Sequence, residues 1–222
     1  MVDDFSLALV CQGCWEQVRP FSGEICVRCG YGFPSPSLQL SKPLCGACRR
    51  DYFQFDFARS FSDFEGPLKD IIHQFKYHSH PSLSGPLARL LEAVYNGGRE
   101  EFTPDLVIPV PLHRARERER GYNQACLLAQ RFCKLARLQL GHKVLIRQRG
   151  TQVQAGLSRR ARRLNMAGAF KLTQQWAAAG KAVLLIDDVF TTGATLNECA
   201  KLLKANGARR VTVLTLARVI QR

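Results

Sequence analysis

The stretch Val183–Leu196, VLLIDDVFTTGATL, decides how the rest of the chain is read. Four consecutive aliphatic residues, Val183 to Ile186, are too short a run for a helix and suit a strand buried on both faces. That strand is expected to end in two adjacent carboxylates, Asp187 and Asp188. Small, hydroxyl-rich residues follow, Thr191-Thr192-Gly193-Ala194-Thr195, and then helix formers from Leu196 to Ala205. A strand, a turn and a helix start bring backbone N–H groups to a helix N-terminus, where anions bind. Gly193 lets the backbone approach a phosphate closely, and the carboxylates can hold sugar hydroxyls or a hydrated Mg²⁺. The expected ligand is a sugar phosphate with a metal. A Walker A loop would need GxxxxGK[ST]; Gly180-Lys181 is followed by Ala182 and has Gln175 where the first Gly belongs, so that reading fails. A receiver domain would carry its acids near the start, whereas this pair lies in the last fifth of the chain.

Outward from this stretch, strands and helices alternate. FQFDFARSFSDF, Phe53 to Phe64, reads as a strand or hairpin, and Gly66-Pro67 breaks it. Leu68, Ile71, Ile72 and Phe75 then form the apolar stripe of a helix, with Pro67 in its first turn. A second helix is expected over 83–95, a turn at Asn96-Gly97-Gly98, and a short buried strand over Leu106–Val110, stopped by prolines. Next come Leu112-His113, an arginine-rich loop RARERERGYNQ and a helix over 123–138. Lys143–Ile146 reads as a strand, Ser158–Met166 as a short helix, and Val211–Leu216 as the last strand. Alternation of this kind predicts an α/β fold, a parallel sheet flanked by helices. Ligands of such sheets lie at the carboxyl ends of the strands, where the Asp187 and Pro111 loops should meet.

The first 52 residues are different. They hold three CxxC pairs, Cys11/Cys14, Cys26/Cys29 and Cys45/Cys48, among Gly, Pro and Ser, with little apolar periodicity. A segment so poor in core residues needs a metal to fold. CxxC followed some fifteen residues later by CxxC is a tetrahedral zinc spacing, which favours Cys26, Cys29, Cys45 and Cys48 as ligands of a structural Zn²⁺. Cys11 and Cys14 could instead pair with Cys26 and Cys29; otherwise they make a half-site. A small zinc-ribbon module over 1–52 and a second domain over 53–222 are expected. Cys126, Cys133 and Cys199 sit singly in helical patterns, as small hydrophobes. His73, His78 and His80 lack regular ligand spacing and suit surface or capping roles.

The net charge is +14 over 222 residues. Between His113 and Arg163 fourteen Lys/Arg face two acids, Glu117 and Glu119, a local +12. That concentration favours polyanionic ligands: pyrophosphate, a sugar phosphate or nucleic acid. No apolar run approaches the roughly 18 residues of a membrane helix, so no membrane insertion is expected. The acidic start MVDDFSLALVC lacks a basic n-region, and a cytoplasmic location is the expectation.

The run IDDVFTTGAT resembles the phosphoribosyl-pyrophosphate (PRPP) motif of type I phosphoribosyltransferases. Phe190 is bulkier than the small aliphatic residue usual there. PVPLHRARERERGYNQ and RGTQVQAGLSRRARRLNMAGAF resemble the ComF family (ComFC/GntX-like proteins), which joins a cysteine zinc finger to a phosphoribosyltransferase domain. Many members carry four CxxC pairs; this sequence has three. The resemblance implies that Asp187 and Asp188 contact ribose hydroxyls and that Thr191, Thr192, Gly193, Ala194 and Thr195 cradle the 5′-phosphate. Pro111, Leu112 and His113 are placed to hold pyrophosphate through backbone amides. The basic segment Arg147–Asn165 could close over both, with Arg120, Asn123, Thr151, Gln154 and Asn165 as loop or anion contacts and Arg162 beside the acids in catalysis. Arg120, Arg162 and Asn165 could equally be structural, Asn165 as a cap and Arg162 as a salt-bridge partner. The implied activity is transfer of ribose 5-phosphate with Mg²⁺ and release of pyrophosphate, with the place in nucleoside metabolism that such a reaction has. The alternative is a non-catalytic protein that binds single-stranded DNA and works with the competence machinery in natural transformation.

Overall fold

In a computed structural model, residues 9–33, 43–77, 80–149 and 168–220 are described. Six strands occur among them: β1 (Phe57–Asp63), β2 (Leu106–Pro109), β3 (Leu145–Arg147), β4 (Phe170–Leu172), β5 (Ala182–Phe190) and β6 (Arg210–Arg218). Four of these form one parallel sheet in the order β1-β6-β5-β2. The helices are α1 (Gln12–Glu16), α2 (Gly46–Arg49), α3 (Gly66–Tyr77), α4 (Ser84–Gly97), α5 (Arg99–Phe102), α6 (Arg114–Arg120), α7 (Gln124–Ala136) and α8 (Ala194–Ala205).

The central strands explain the two cores. β5 is covered on both sides, so successive aliphatic residues must enter opposite clusters. Val183 and Leu185 join one, with Leu196, Cys199 and Leu203 of α8 and the four cysteines at 26, 29, 45 and 48. Leu184 and Ile186 join the other, with Ile72 and Phe75 of α3, Leu87 and Leu91 of α4, and Leu128 and Phe132 of α7. The apolar stripes on these helices fall at the expected three- and four-residue spacing and are buried. The cysteine-rich segment therefore packs into the same cluster as one face of the sheet.

Four expectations are corrected. β5 does not stop at the acids: it pairs with β6 as far as Phe190↔Arg218, because β6 extends equally far alongside it. Phe53–Phe64 is no hairpin; β1 begins at Phe57 and pairs in parallel with β6, while Phe53 and Phe55 sink into the core. The arginine-rich loop is helical from Arg114 to Arg120 and ends at Gly121 with φ +81°. Arg, Ala and Glu are good helix formers, and the interleaved Glu residues relieve repulsion at three-residue spacing. The strand near Lys143 lies at Leu145–Arg147 and pairs antiparallel with β4, outside the main sheet. The expected helix over Ser158–Met166 lies outside the described residues.

Candidate functional site

The carboxyl end of β5 carries the acid pair. Asp188 is buried, and its Oδ1 lies 2.7 Å from Nζ of Lys76, itself largely buried in the last turn of α3. Asp187 accepts a hydrogen bond from the Asp188 N–H at 2.9 Å. Loss of hydration, reinforced by the charge of Asp188, pushes the Asp187 carboxyl up to about 7. Lys76 and Arg147 oppose that rise without cancelling it. The pair therefore holds one compensated carboxylate and one group poised to change charge near neutral pH.

The turn after β5 is built to open a helix. Gly193 has φ +76°, and a Cβ there would fall 2.4 Å from the Phe190 ring and 2.8 Å from the Phe53 ring. Only glycine fits both the left-handed backbone and the packing. Thr192 Oγ1 accepts from the Ala194 N–H at 3.4 Å, and the Gly193 carbonyl accepts from the Asn197 N–H at 2.8 Å. Thr191 is exposed and Thr195 half-buried at the mouth of this 12-residue helix, while Gly193 and Ala194 are buried.

Pro111, Leu112 and His113 lie one strand away, as expected. Val110 N–H still bonds the Ile186 carbonyl at 2.9 Å, so Pro111 emerges level with the acid pair. His113 is the N-cap of α6, with Nδ1 accepting from the Ala115 N–H at 3.3 Å. Asn123 is committed to architecture: its oxygen accepts from the Ala125 and Cys126 N–H groups, and its amide donates to the Val110 carbonyl. Arg120 lies 4.8 Å over the ring of Tyr77. Thr151, Gln154, Arg162 and Asn165 lie outside the described residues, between β3 and β4.

Sequence reasoning missed Lys76 and the residues that hold it. Tyr122 donates to the Phe75 carbonyl and Gln124 to the Lys76 carbonyl, pinning the end of α3 at the acids. A signal existed: Lys76 sits four residues after Ile72, on the apolar stripe, where a lysine needs a buried partner. Arg147 was placed in a basic segment rather than beside Asp187. It is half-buried at the end of β3, and Asp187 is among the charges acting on it.

The second constellation is the cysteine cluster. The Sγ atoms of Cys26, Cys29, Cys45 and Cys48 all lie within 4.8 Å of one another, and all four residues are buried. A tetrahedral zinc with bonds of about 2.3 Å would set sulfurs about 3.8 Å apart. No disulfide joins them, and the Cys29–Cys45 sulfur separation is 3.5 Å. Four buried thiols this close, with no disulfide among them, make a soft donor set compatible with a structural zinc ion. Gly30, with φ +68°, makes the knuckle, where a Cβ would meet the Ala58 carbonyl at 2.9 Å. Cys11 and Cys14 stand apart from this cluster, with Cys11 exposed, Cys14 half-buried and a sulfur separation of 3.2 Å.

Residues 149–222 match the phosphoribosyl transferase domain family. The chain is 34% identical to competence protein F of Haemophilus influenzae, over 94% of this chain and 90% of that one. It is 32% identical to the DNA utilization protein YhgH of Escherichia coli K12, over 95% and 91%. Identity to competence protein ComFC of Bacillus subtilis is 28%, over 94% and 84%. Among solved structures, the glutamine PRPP amidotransferase of B. subtilis is 17% identical, covering 64% of this chain and 30% of that one, with a TM-score of 0.44. The fold is a phosphoribosyltransferase-like parallel sheet with a cysteine cluster toward its N-terminal side. The chain belongs to the ComF family. No helix among the described residues is long and apolar enough to cross a membrane.

Proposed function

We propose that the chain binds PRPP with Mg²⁺ at the carboxyl ends of β2 and β5, and that the cysteine cluster holds a structural zinc. The observation that carries the reading is the coincidence, at one sheet end, of the acid pair, the Gly193 helix start and the Pro111–His113 loop. In this reading the Asp187 and Asp188 oxygens accept from the ribose hydroxyls. Backbone N–H groups of 192–195 and the Thr191, Thr192 and Thr195 hydroxyls hold the 5′-phosphate. Amides of Leu112 and His113 would face the pyrophosphate, whose charge Mg²⁺ would help neutralise; Arg147 at the end of β3, and Thr151, Gln154, Arg162 and Asn165 from the segment that follows, would add contacts. Arg120 and Asn123 act as positioning residues. As an enzyme, the protein would break the ribose C1–pyrophosphate bond and pass ribose 5-phosphate to an acceptor, the leaving group being stabilised by Mg²⁺ and arginine. Residues 1–52 form the zinc module and 53–222 the PRPP-binding unit, in the cytoplasm.

Calorimetry with PRPP and Mg²⁺ tests this. Micromolar binding by wild type, lost in the Asp187→Asn/Asp188→Asn double variant, is expected; no binding, or equal binding by both, overturns it. Pyrophosphate release across nucleobases and amines then separates enzyme from binding protein.

A second reading draws on the relatives' names and on the +12 segment: single-stranded DNA engaged through phosphate contacts. The log–log slope of affinity on salt should fall by about one for each contacting arginine removed among Arg159, Arg160, Arg162 and Arg163. An unchanged slope removes this reading.

A further inference from the structure

Four buried thiolates around a zinc ion leave a net charge of −2 that the protein interior must balance. Arg218, at the end of β6, is a buried cation placed to offset part of it. Its side chain is almost wholly enclosed, donating from Nη1 to the Cys29 carbonyl at 2.6 Å and from Nη2 toward Cys29 Sγ at 3.5 Å. Among the described residues no carboxylate forms an ion pair with it. The same guanidinium lies 3.8 Å over the ring of Phe190, its neighbour across the β5–β6 ladder. Phe190 in turn meets Phe53 and Phe55 edge-on, at 5.7 and 5.8 Å, and fills the space where Gly193 has no Cβ. The Gln54 N–H, next to Phe53, donates to Asn197 in the first turn of α8 at 2.6 Å.

We infer that Arg218 is a positioning residue for the Thr191–Thr195 turn: it ties that turn, through Phe190, to the thiolate–metal centre. Zinc and the turn then stabilise one another. The thiolate charge that zinc stabilises holds Arg218 against Cys29, the guanidinium holds the Phe190 ring, and the ring fixes the helix start. The unusual bulk of Phe190 acquires a purpose, since a small aliphatic residue could not reach the guanidinium and the glycine together. The link to ligand binding rests on the PRPP reading above; the link between metal and turn does not.

The test uses the full chain with zinc bound. Zinc loss to a chelating indicator and amide exchange of residues 191–197 are followed in wild type, Arg218→Met, Arg218→Lys and Phe190→Leu. Arg218→Met should release zinc about 10- to 100-fold faster, the range for lost outer-shell partners, and exchange faster at 191–197. Arg218→Lys should regain zinc retention through its charge but not turn protection, lacking the planar group that covers the ring. Phe190→Leu should keep its zinc and lose turn protection. Wild-type behaviour of Arg218→Met in both readouts overturns the inference. If Arg218→Met does not fold, unchanged exchange in Phe190→Leu and Arg218→Lys overturns it equally. PRPP titration of the same variants is a separate arm: absence of PRPP binding by wild type defeats the PRPP reading alone, whereas unchanged exchange defeats the positioning role alone.

Discussion

The cysteine cluster and the acid pair solve the same problem, like charges brought together in a protein interior, by opposite means. The cluster gathers four thiols from loops and one-turn helices, and Arg218 sets a single positive charge against them. The acid pair sits on a central strand of the sheet and brings its own cation, Lys76, while Asp187 keeps a proton up to about 7. The first site is a donor set compatible with an external ion; the second carries a cation of its own. Structural metal sites contribute folding energy, whereas a site supported by a sheet can spend its electrostatics on binding.

The widest gap between the two should open on removing a ligand. Cys45→Ser is expected to abolish stoichiometric zinc and to unprotect amides around Cys26–Gly30, since structural zinc supplies on the order of 10 kcal/mol in small fingers. Mass spectrometry and hydrogen exchange would show it, and retained zinc would place the ligand set elsewhere. Lys76→Met comes next: leaving Asp188 buried without its partner should cost about 3–5 kcal/mol at pH 8 by denaturant unfolding. A loss below about 1 kcal/mol would mean that water, not Lys76, compensates the carboxylate.

Gly193→Ala should cost about 1–3 kcal/mol, from a Cβ driven into Phe190 at a left-handed backbone position. PRPP affinity should fall with it, and wild-type stability would show that the turn can relax. A further effect is on pH. Asp187's carboxyl is raised in the folded state, from 3.8 to about 7, so its ionisation costs stability as pH climbs through that window and costs nothing below it. Asp187→Asn should therefore gain most relative to wild type above pH 7. PRPP affinity of wild type should drop about tenfold from pH 8 to pH 6 as the carboxylate is protonated. The residual pH dependence in Asp187→Asn would be that of the ligand's phosphates, and identical profiles would remove Asp187 from the binding site.

What was legible and what was not divides along a physical line. The strand beneath the acids, the Pro111 loop beside it, the zinc spacing and the helices' apolar stripes were readable, because each depends on residues close in sequence or on a simple period. The extension of β5 to Phe190 was not, because a strand's end depends on how far its neighbour runs beside it. The helix at Arg114–Arg120 was obscured by its charge, which reads as loop although its residues favour helix.

The opening stretch shows the same limit within fourteen residues. The order of apolar, acidic, hydroxyl and glycine residues in VLLIDDVFTTGATL determined by itself a strand, a turn and a helix start. The CxxC spacing favoured the four cysteines whose sulfurs lie within 4.8 Å of one another. Only tertiary structure decided that Lys76, over a hundred residues upstream, would meet Asp188. It also decided that Arg218 would join Cys29 to Phe190, linking the cysteine cluster to the turn that follows the acid pair. Charge compensation in a buried site depends on which side chains come within a few ångströms through space, and sequence order does not encode that distance.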